Sequence, residues 1–471
     1  MSGYVAPPGS IPTLEVPDLS RVRSLHLVGI GGSGMRNVAR LLAARGFEVR
    51  GSDLKDSGAA RSLREAGIAV AVGHAADNVG DADAIVVSSA IREGNPEVTA
   101  GRARGIPIWT RAQALAAATV GSRTIAVTGT HGKTTTTSML ALVLDRAGAD
   151  PSFVIGGEPN ETGGGARAGE GDLFVVEGDE SDGSFLLLRP EIGIVTNVEV
   201  DHVDFYRGGL AEIEEAFAAF ADRCETLVVC ADDPGAMRST ADRARVTYGA
   251  SPLADVRVTT TGLGPTGARG RLEIDGEALE LRLGVDGAHN LLNAAAAVAA
   301  AAFVGIDPAT SVGALAEFTG VHRRFERRGG ARGADFYDDY GHVPTELAVT
   351  LETASRTGAG RVIAVFQPHR YSRTQALWRE LGASLVAADV VVVTDVYGAD
   401  QEPIPGVTGK LVVRGVAEAD PGQRVVYLPH RGDVVRFLDR EVRAGDLVIT
   451  MGCGDVWMLG DAALAAIGGA A

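Results

Sequence analysis

The sequence predicts an α/β protein built from three successive parallel-sheet units. Three observations carry this. Through residues 22–120, short apolar strand-like runs alternate with helix-length segments, the pattern of a βαβ series. A further apolar run, Thr124–Val127, ends in Thr128-Gly129-Thr130-His131-Gly132-Lys133-Thr134-Thr135 and opens a helical stretch toward Asp145. Near the C-terminus, Val390–Asp395, Val425–Leu428 and Asp446–Thr450 are nearly continuous apolar runs, as expected of strands buried on both faces.

The elements follow in order. Residues 1–20 form a Pro-rich tail, read as flexible, without the apolar core of a signal peptide. In the first unit, residues 21–120, Leu25–Ile30, Glu48–Ser52, Ala84–Ser88 and Pro107–Trp109 read as strands, and Met35–Arg45, Ala59–Ala66 and Pro96–Arg104 as helices. The second unit, residues 121–322, adds strands at Leu173–Glu177, Ile192–Asn197 and Thr226–Cys230. Between residues 256 and 284 its pattern changes to short alternating strands with an Asp275-Gly276 turn, a small antiparallel element. An alanine-rich helix starts at His289; its run Ala294–Val304 is too short to span a bilayer and reads as a closely packed buried helix. Gly163–Gly165 and Gly262–Gly270 read as flexible loops. The third unit, residues 323–471, begins its buried strands with Arg361–Phe366.

Composition narrows the function classes. An apolar content of 45% over 471 residues is ample for packed cores. The net charge of −16 disfavours nucleic acid and anionic membranes as partners, so a nucleotide would have to be held by local devices. Cys224, Cys230 and Cys453 have neither metal spacing nor an even count, which points to a reducing cytoplasm.

The Lys133 segment is a strand, a Gly-rich turn, a Lys-Thr pair and a helix. Glycines let backbone N–H groups face an anion, the helix N-terminus adds partial positive charge, Lys133 adds a full one, and the Thr134 hydroxyl can ligate Mg²⁺. The chain has only two other lysines, Lys55 and Lys410, so this one stands where a phosphate needs it. The loop is shorter than the usual P-loop, with Val127 where a glycine is expected. Glu177, Asp179, Glu180 and Asp182 end the next strand, where carboxylates can hold a phosphate-bridging Mg²⁺ or simply form a solvated acidic loop. Asp201-His202 ends the one after it.

Gly29-Ile30-Gly31-Gly32-Ser33-Gly34, with Asp53 after the second strand, is a second nucleotide signal; taken alone it suggests a dinucleotide fold and an NAD-dependent oxidoreductase. Asn290 and Asn293 share a helix face and suit either a base edge or helix capping. His322-Arg323-Arg324-Phe325-Glu326, Asp338-Asp339-Tyr340-Gly341-His342 and Gln367-Pro368-His369-Arg370-Tyr371-Ser372-Arg373 gather Arg, His and Asp for carboxylate or phosphate chemistry, or are solvated charge runs.

Nine motifs in order resemble the Mur ligase family across about Val22–Gly460: HLVGIGGSGM, VVSSAI, TGTHGKTTTT, EGDESDGSF, TNVEVDH, HNLLN, HRRFE, DDYGHVPTE and FQPHRYSRT. The resemblance implies an N-terminal Rossmann-like domain for a UDP-sugar, a central P-loop ATPase domain and a C-terminal Rossmann-like domain that closes over ATP. It implies ATP-dependent joining of L-alanine to the carboxylate of UDP-N-acetylmuramate through an acyl phosphate, in peptidoglycan precursor synthesis. Under it, Gly29, Gly31, Gly32, Gly34, Asp53 and Ser89 face the UDP-sugar, not a nicotinamide. Gly129, Thr130, His131, Gly132, Lys133, Thr134 and Thr135, with Asn290, Asn293 and Arg324, serve ATP. Thr134 and Glu177 hold Mg²⁺, and His202 serves a second ion. Lys133, Glu177, His202, Arg324, Asp339 and His342 are the implied catalytic set; Tyr340, His342, His369, Arg370 and Arg373 lie near the incoming amino acid. The protein is expected to be cytoplasmic, and a monomer or homodimer.

Departures from the family pattern are Met35-Arg36-Asn37 for small residues, Gly178 for alanine and Val343 for a second histidine. No lysine occurs between Lys133 and Lys410, so the carbamylated lysine of ligases acting later in the pathway has no counterpart, which agrees with the alanine-adding branch. The alternatives are a recycling ligase that adds a whole tripeptide to the same sugar; from another class, the NAD-dependent oxidoreductase, which leaves the Lys133 loop unexplained; and a non-catalytic nucleotide-binding regulator, against which the intact Lys133, Glu177 and His202 argue.

Overall fold

The computed structural model describes residues 15–202, 205–399 and 401–468. Most of the proline-rich tail therefore lies outside the described residues. Its last part packs down: Asp18 caps a single turn, Leu19–Arg21, and Val16 and Leu19 lie against the core.

The N-terminal sheet is wholly parallel, in the order Ala69–Val72, Glu48–Asp53, Ser24–Val28, Ala84–Val87, Ile108–Thr110. From Ser24–Val28 the chain winds first to one side and then to the other. The loop Gly29–Gly34 leaves that strand at the point of reversal, where open α/β sheets bind ligands. Three elements lie outside the sequence reading: the strand Ala69–Val72, the short 3-10 turn Ala76–Val79 and the helix Arg111–Thr119. That helix starts on a capping box, in which Thr110 and Gln113 satisfy each other's backbone N–H groups.

Among the described residues, the central sheet has ten strands. Arg123–Thr128 lies between Leu173–Glu177 and Ile192–Val195, parallel to both. Beyond Ile192–Val195 come Thr226–Cys230, Val246–Gly249 and Val256–Gly262, then Arg269–Ile274 and Glu277–Arg282. The last two are joined through Asp275 and Gly276, whose φ values of 51° and 82° are those of a tight hairpin turn. The alanine-rich helix is Ala288–Phe303, and every residue from Asn293 to Ala301 is buried.

Neither glycine stretch is a free loop. A Cβ at Gly165 would overlap Asn37 and the Gly157 carbonyl, and one at Gly267, where φ is 108°, would overlap the Leu283 carbonyl. At these two positions glycine is required because backbone passes close by.

The C-terminal sheet runs Glu326–Ala331, Ala334–Asp339, Asp446–Met451, Arg361–Phe366, Val390–Val393, Val425–Tyr427. Only its first pair is antiparallel. Asp446–Met451 and Val390–Val393 are fully buried, as their sequences require. Val425–Tyr427 is not: it is the edge strand and only half-buried, so its apolar run does not mark a two-sided core.

The chain divides into two compact units. One reaches to Thr259 and includes Gly270–Arg282 and His289–Phe318; the other comprises Thr260–Arg269, Leu283–Ala288 and the chain from Thr319 onward. The N-terminal sheet and most of the central sheet lie in the first unit. Within it, Arg36 pairs with Glu158 and Asn37 Nδ2 donates to the Ile155 carbonyl at 2.7 Å. The unusual Arg36-Asn37 pair thus ties the two sheets together. Among the described residues, no helix is long and apolar enough to cross a membrane.

Candidate active site

The phosphate-type loop is built by its neighbours. Gly129 (φ 139°) and Gly132 (φ 80°) hold left-handed backbone that a side chain would strain. Space is closed as well: a Cβ at Gly129 would overlap Thr196 Oγ1, and one at Gly132 would lie 2.8 Å from Asn293 Oδ1. Thr196 and Asn197, just past Ile192–Val195, fix the bend. Thr196 Oγ1 donates to the His131 carbonyl at 2.6 Å, and Asn197 Oδ1 accepts from His131 N at 2.7 Å. Thr130 Oγ1 accepts from Glu199 N at 2.9 Å.

Lys133 and Thr134 begin the helix Lys133–Arg146, and Thr135 is half-buried beside them. Lys133 Nζ donates to the carbonyls of Gly129 (2.6 Å) and Thr130 (3.2 Å) and pairs with Glu180 Oε1 at 2.8 Å. Burial alone would lower the Lys133 ammonium, but Glu180, Glu177 and Asp179 around it more than offset this and raise its pKa. Burial pushes the Glu180 carboxyl up to about 7 against the pull of Lys133. Tyr206 donates its hydroxyl to the Glu180 carbonyl at 2.5 Å.

Glu177 ends the neighbouring strand. Its Oε1 accepts from Thr134 Oγ1 at 3.1 Å and its Oε2 from Gly156 N at 2.7 Å; a Cβ at Gly156 would sit 2.8 Å from Oε2. A hydroxyl and a carboxylate side by side, with backbone cleared around them, are hard oxygen donors that fit Mg²⁺, which takes few protein ligands and completes its shell from phosphate and water. His202 stands elsewhere in the cluster, with Nε2 3.3 Å from Asp201 Oδ2 and 3.7 Å from Glu180 Oε1. Among the described residues, no group of three or more His, Cys, Asp and Glu side chains is arranged to hold a metal.

The acidic loop is anchored by Phe185, fully buried, which meets Phe217 edge-on at 5.3 Å and stacks on Phe220 at 5.2 Å. An alanine at 178 would make ordinary contacts no closer than 3.4 Å, so the glycine there is not required. Asn293 reaches the loop from the alanine-rich helix: its Oδ1 accepts from Thr136 Oγ1 at 3.2 Å, and its Nδ2 lies 3.4 Å from Asn290 Oδ1. The two amides are therefore neighbours beside the loop.

At the N-terminal loop, Gly31 N donates to Asp53 Oδ2 at 3.0 Å, and Gly29 (φ 76°) packs on Ser88, next to exposed Ser89. Gly32 caps the helix Ser33–Ala44, with Gly34 in its first turn. Arg111, which motif reading missed, lies over Gly34 and pairs with Asp179 Oδ2 at 3.0 Å.

In the unit that continues from Thr319 onward, the other sequence-predicted residues include those that follow the carboxyl ends of Ala334–Asp339 and Arg361–Phe366, two parallel strands that flank Asp446–Met451. Asp339 is spent on its own surroundings: Oδ2 accepts from Phe325 N (2.8 Å), and Oδ1 accepts from Gly341 N (2.7 Å) and from the Thr350 hydroxyl (3.0 Å). Burial raises its pKa against the pull of Arg324. Arg323 and Arg324 both stack on the Tyr340 ring at 5.1 Å. Arg323 also holds Asp338 at 2.8 Å and the Gly452 carbonyl at 2.6 Å. Rings then follow in series: Tyr340 to His342 (5.7 Å), His342 to His369 (6.0 Å), and His369 stacked on Tyr397 (5.6 Å). Arg373 Nη1 is 3.4 Å from His369 Nδ1, and Arg370 (φ 66°) precedes the helix Tyr371–Leu385. Val343 is buried.

Three α/β domains, the middle one carrying a short phosphate loop beside a hydroxyl–carboxylate pair, define a nucleotide-using enzyme of the P-loop type. Family models match along the chain: Mur ligase family, catalytic domain, over residues 24–123; Mur ligase middle domain over 127–301; and Mur ligase, glutamate ligase domain, over 323–454. The chain belongs to the Mur ligase family. It is 48% identical to the UDP-N-acetylmuramate–L-alanine ligase of Thermobifida fusca, over 97% of this chain and 98% of that one. To the ligase of the same name from Kineococcus radiotolerans it is 49% identical, over 94% and 96%. Among solved structures, the UDP-N-acetylmuramate-alanine ligase of Thermotoga maritima superposes with a TM-score of 0.81 at 30% identity, covering 95% of this chain and all of that one. A murein peptide ligase from Psychrobacter arcticus shares the fold, with a TM-score of 0.72 at 24% identity.

Proposed function

We propose that the protein is an ATP-dependent ligase that joins L-alanine to the carboxylate of UDP-N-acetylmuramate, in the cytoplasm, for peptidoglycan precursor synthesis. The observation that carries this is the Lys133 loop, closed by Thr196, Asn197 and Asn293 and set against Thr134–Glu177, in a chain nearly half identical to ligases of that name.

A carboxylate is a poor acyl donor because its charge repels nucleophiles and oxide leaves badly. Phosphorylation converts it to an acyl phosphate, whose phosphate leaves readily. Transfer needs positioning and charge compensation more than covalent chemistry. In this reading the N–H groups of Gly129–Thr135 and the Lys133 ammonium hold the ATP phosphates, Asn290 and Asn293 meet the adenine, and Arg324 offsets phosphoryl charge. Thr134 and Glu177 would hold Mg²⁺, with His202 serving a second ion; bound there, the metal supplies charge neutralisation at the phosphates. Gly29, Gly31, Gly32, Gly34, Asp53 and Ser89 would take the UDP-sugar.

Tyr340, His342, His369, Arg370 and Arg373 would receive alanine. Its amine must be neutral to attack, and His342 takes its proton, on a turn that Asp339 holds in place. The tetrahedral intermediate then collapses to amide and phosphate.

The test is phosphate release with ATP and UDP-N-acetylmuramate against a panel of amino acids and the tripeptide. Release driven by L-alanine supports the reading; release driven only by tripeptide transfers it to the recycling activity; no release under any combination sinks it.

A further inference from the structure

We propose that Arg111 is a binding residue for an oxyanion of the sugar-nucleotide substrate, held on Asp179 until that oxyanion arrives. This rests on the reading that a UDP-sugar docks on the Gly29–Gly34 loop.

Arg111 is the first residue of the helix Arg111–Thr119, and the Thr110–Gln113 capping box fixes the backbone from which its side chain departs. The side chain crosses Gly34, in the first turn of Ser33–Ala44. A Cβ on Gly34 would lie 3.0 Å from Arg111 Nη1 and 3.1 Å from Cδ, so a glycine there clears the path of the guanidinium. The group therefore sits at a helix N-terminus whose first-turn N–H groups already favour an anion. Asp179 is its one hydrogen-bond partner among the described residues, through Nη2 at 3.0 Å. A guanidinium fork has about five N–H donors and matches phosphate or carboxylate in pairs. Most of that capacity is unspent, beside the loop that would receive a diphosphate.

The pair is not a deep structural lock. The Arg111 side chain is 26% exposed and that of Asp179 38%, a setting in which ion pairs add little to stability. Asp179 is joined in sequence to Glu180, which holds Lys133 at 2.8 Å. One acidic pair thus restrains two cations: Arg111 on the sugar-nucleotide side and Lys133 on the phosphate loop. Two substrate oxyanions have the required chemistry, the diphosphate and the carboxylate to be activated.

The experiment is calorimetric binding of UDP-N-acetylmuramate, and of UDP-N-acetylglucosamine, which lacks the carboxylate, to the full chain and its Arg111→Ala, Arg111→Lys and Asp179→Asn variants. KM for ATP is measured in parallel. Arg111→Ala is expected to weaken the acid-bearing sugar by about tenfold or more, with KM for ATP within about twofold; Arg111→Lys recovers part of the loss because it restores charge without the fork. Equal weakening of both sugars assigns the diphosphate, and weakening of the acid-bearing sugar alone assigns the carboxylate. Asp179→Asn frees the guanidinium and leaves sugar binding equal or tighter, whereas a purely structural bridge would make it resemble Arg111→Ala. Unchanged sugar binding by Arg111→Ala, or equal losses in Arg111→Ala and Asp179→Asn, overturns the proposal. Failure of the wild-type chain to bind either sugar nucleotide instead removes the functional reading beneath it.

Discussion

Lys133 Nζ lies 2.8 Å from Glu180 Oε1 and within hydrogen-bond distance of two carbonyls of its own loop. The lysine that would meet phosphate is thus already charged and aimed across the loop, held by a buried carboxylate. A phosphate bound there would have to draw it from Glu180, and the neighbouring carboxylates favour its protonated form.

Lys133→Ala is expected to lower turnover by about a thousandfold, the scale of losing a preorganised charge at a transition state. UDP-sugar binding, measured by calorimetry, should stay within about twofold, because the Gly29–Gly34 loop does not use this side chain. Near-wild-type turnover would remove the phosphate role.

Glu177→Ala removes the acceptor of the Thr134 hydroxyl and of Gly156 N. Rate and apparent Mg²⁺ affinity should fall together, by about ten- to a hundredfold. A Mg²⁺ titration that keeps its midpoint would show that the carboxylate is not a ligand.

Two glycines predict opposite outcomes for one change. At Gly129 a methyl group would overlap Thr196 Oγ1 on a backbone with φ of 139°; at Gly178 its nearest neighbour is an ordinary 3.4 Å away. Gly129→Ala should abolish nucleotide binding and lower stability by about 1–3 kcal/mol. Gly178→Ala should keep activity and stay within about 0.5 kcal/mol. Equal behaviour in thermal melts and nucleotide titrations would contradict this account of the loop.

The sequence was readable where local pattern and tertiary role coincide. Leu173–Glu177, Thr226–Cys230 and Arg361–Phe366 are strands with the ends their apolar runs suggest. Arg111–Thr119 escaped because RAQALAAAT is buried over most of its surface and shows little periodicity, although Thr110 and Gln113 carried the cap signal. Glu326–Ala331 escaped because its arginines and glycines suit an exposed edge strand, not a core one. At the site, motifs located the loop, but the contacts of Asn197 with His131, Glu180 with Lys133 and Arg111 with Asp179 join residues far apart in sequence and leave no local trace.

Glu97 gives a pH test of stability that involves none of the proposed binding residues. It is fully buried, yet accepts from Ser52 Oγ and Asn78 Nδ2 at 2.6 Å each, with His74 Nδ1 at 3.2 Å and His26 Nε2 at 3.5 Å. Burial pushes its pKa up, but the donors from His26, Ser52 and Asn78 prevail and bring it from 4.5 to about 2. Because the folded value is the lower, the ionised form stabilises the fold above the unfolded pKa of 4.5, and that contribution is lost as pH falls toward 2. Its size is ~3 kcal/mol. Glu97→Gln keeps the shape but not the charge, so its thermal midpoint should lie several degrees below wild type at pH 7. The gap should narrow steadily in melts taken from pH 5 down to pH 3. A gap constant across that range would show that the charge contributes nothing and that only packing was lost.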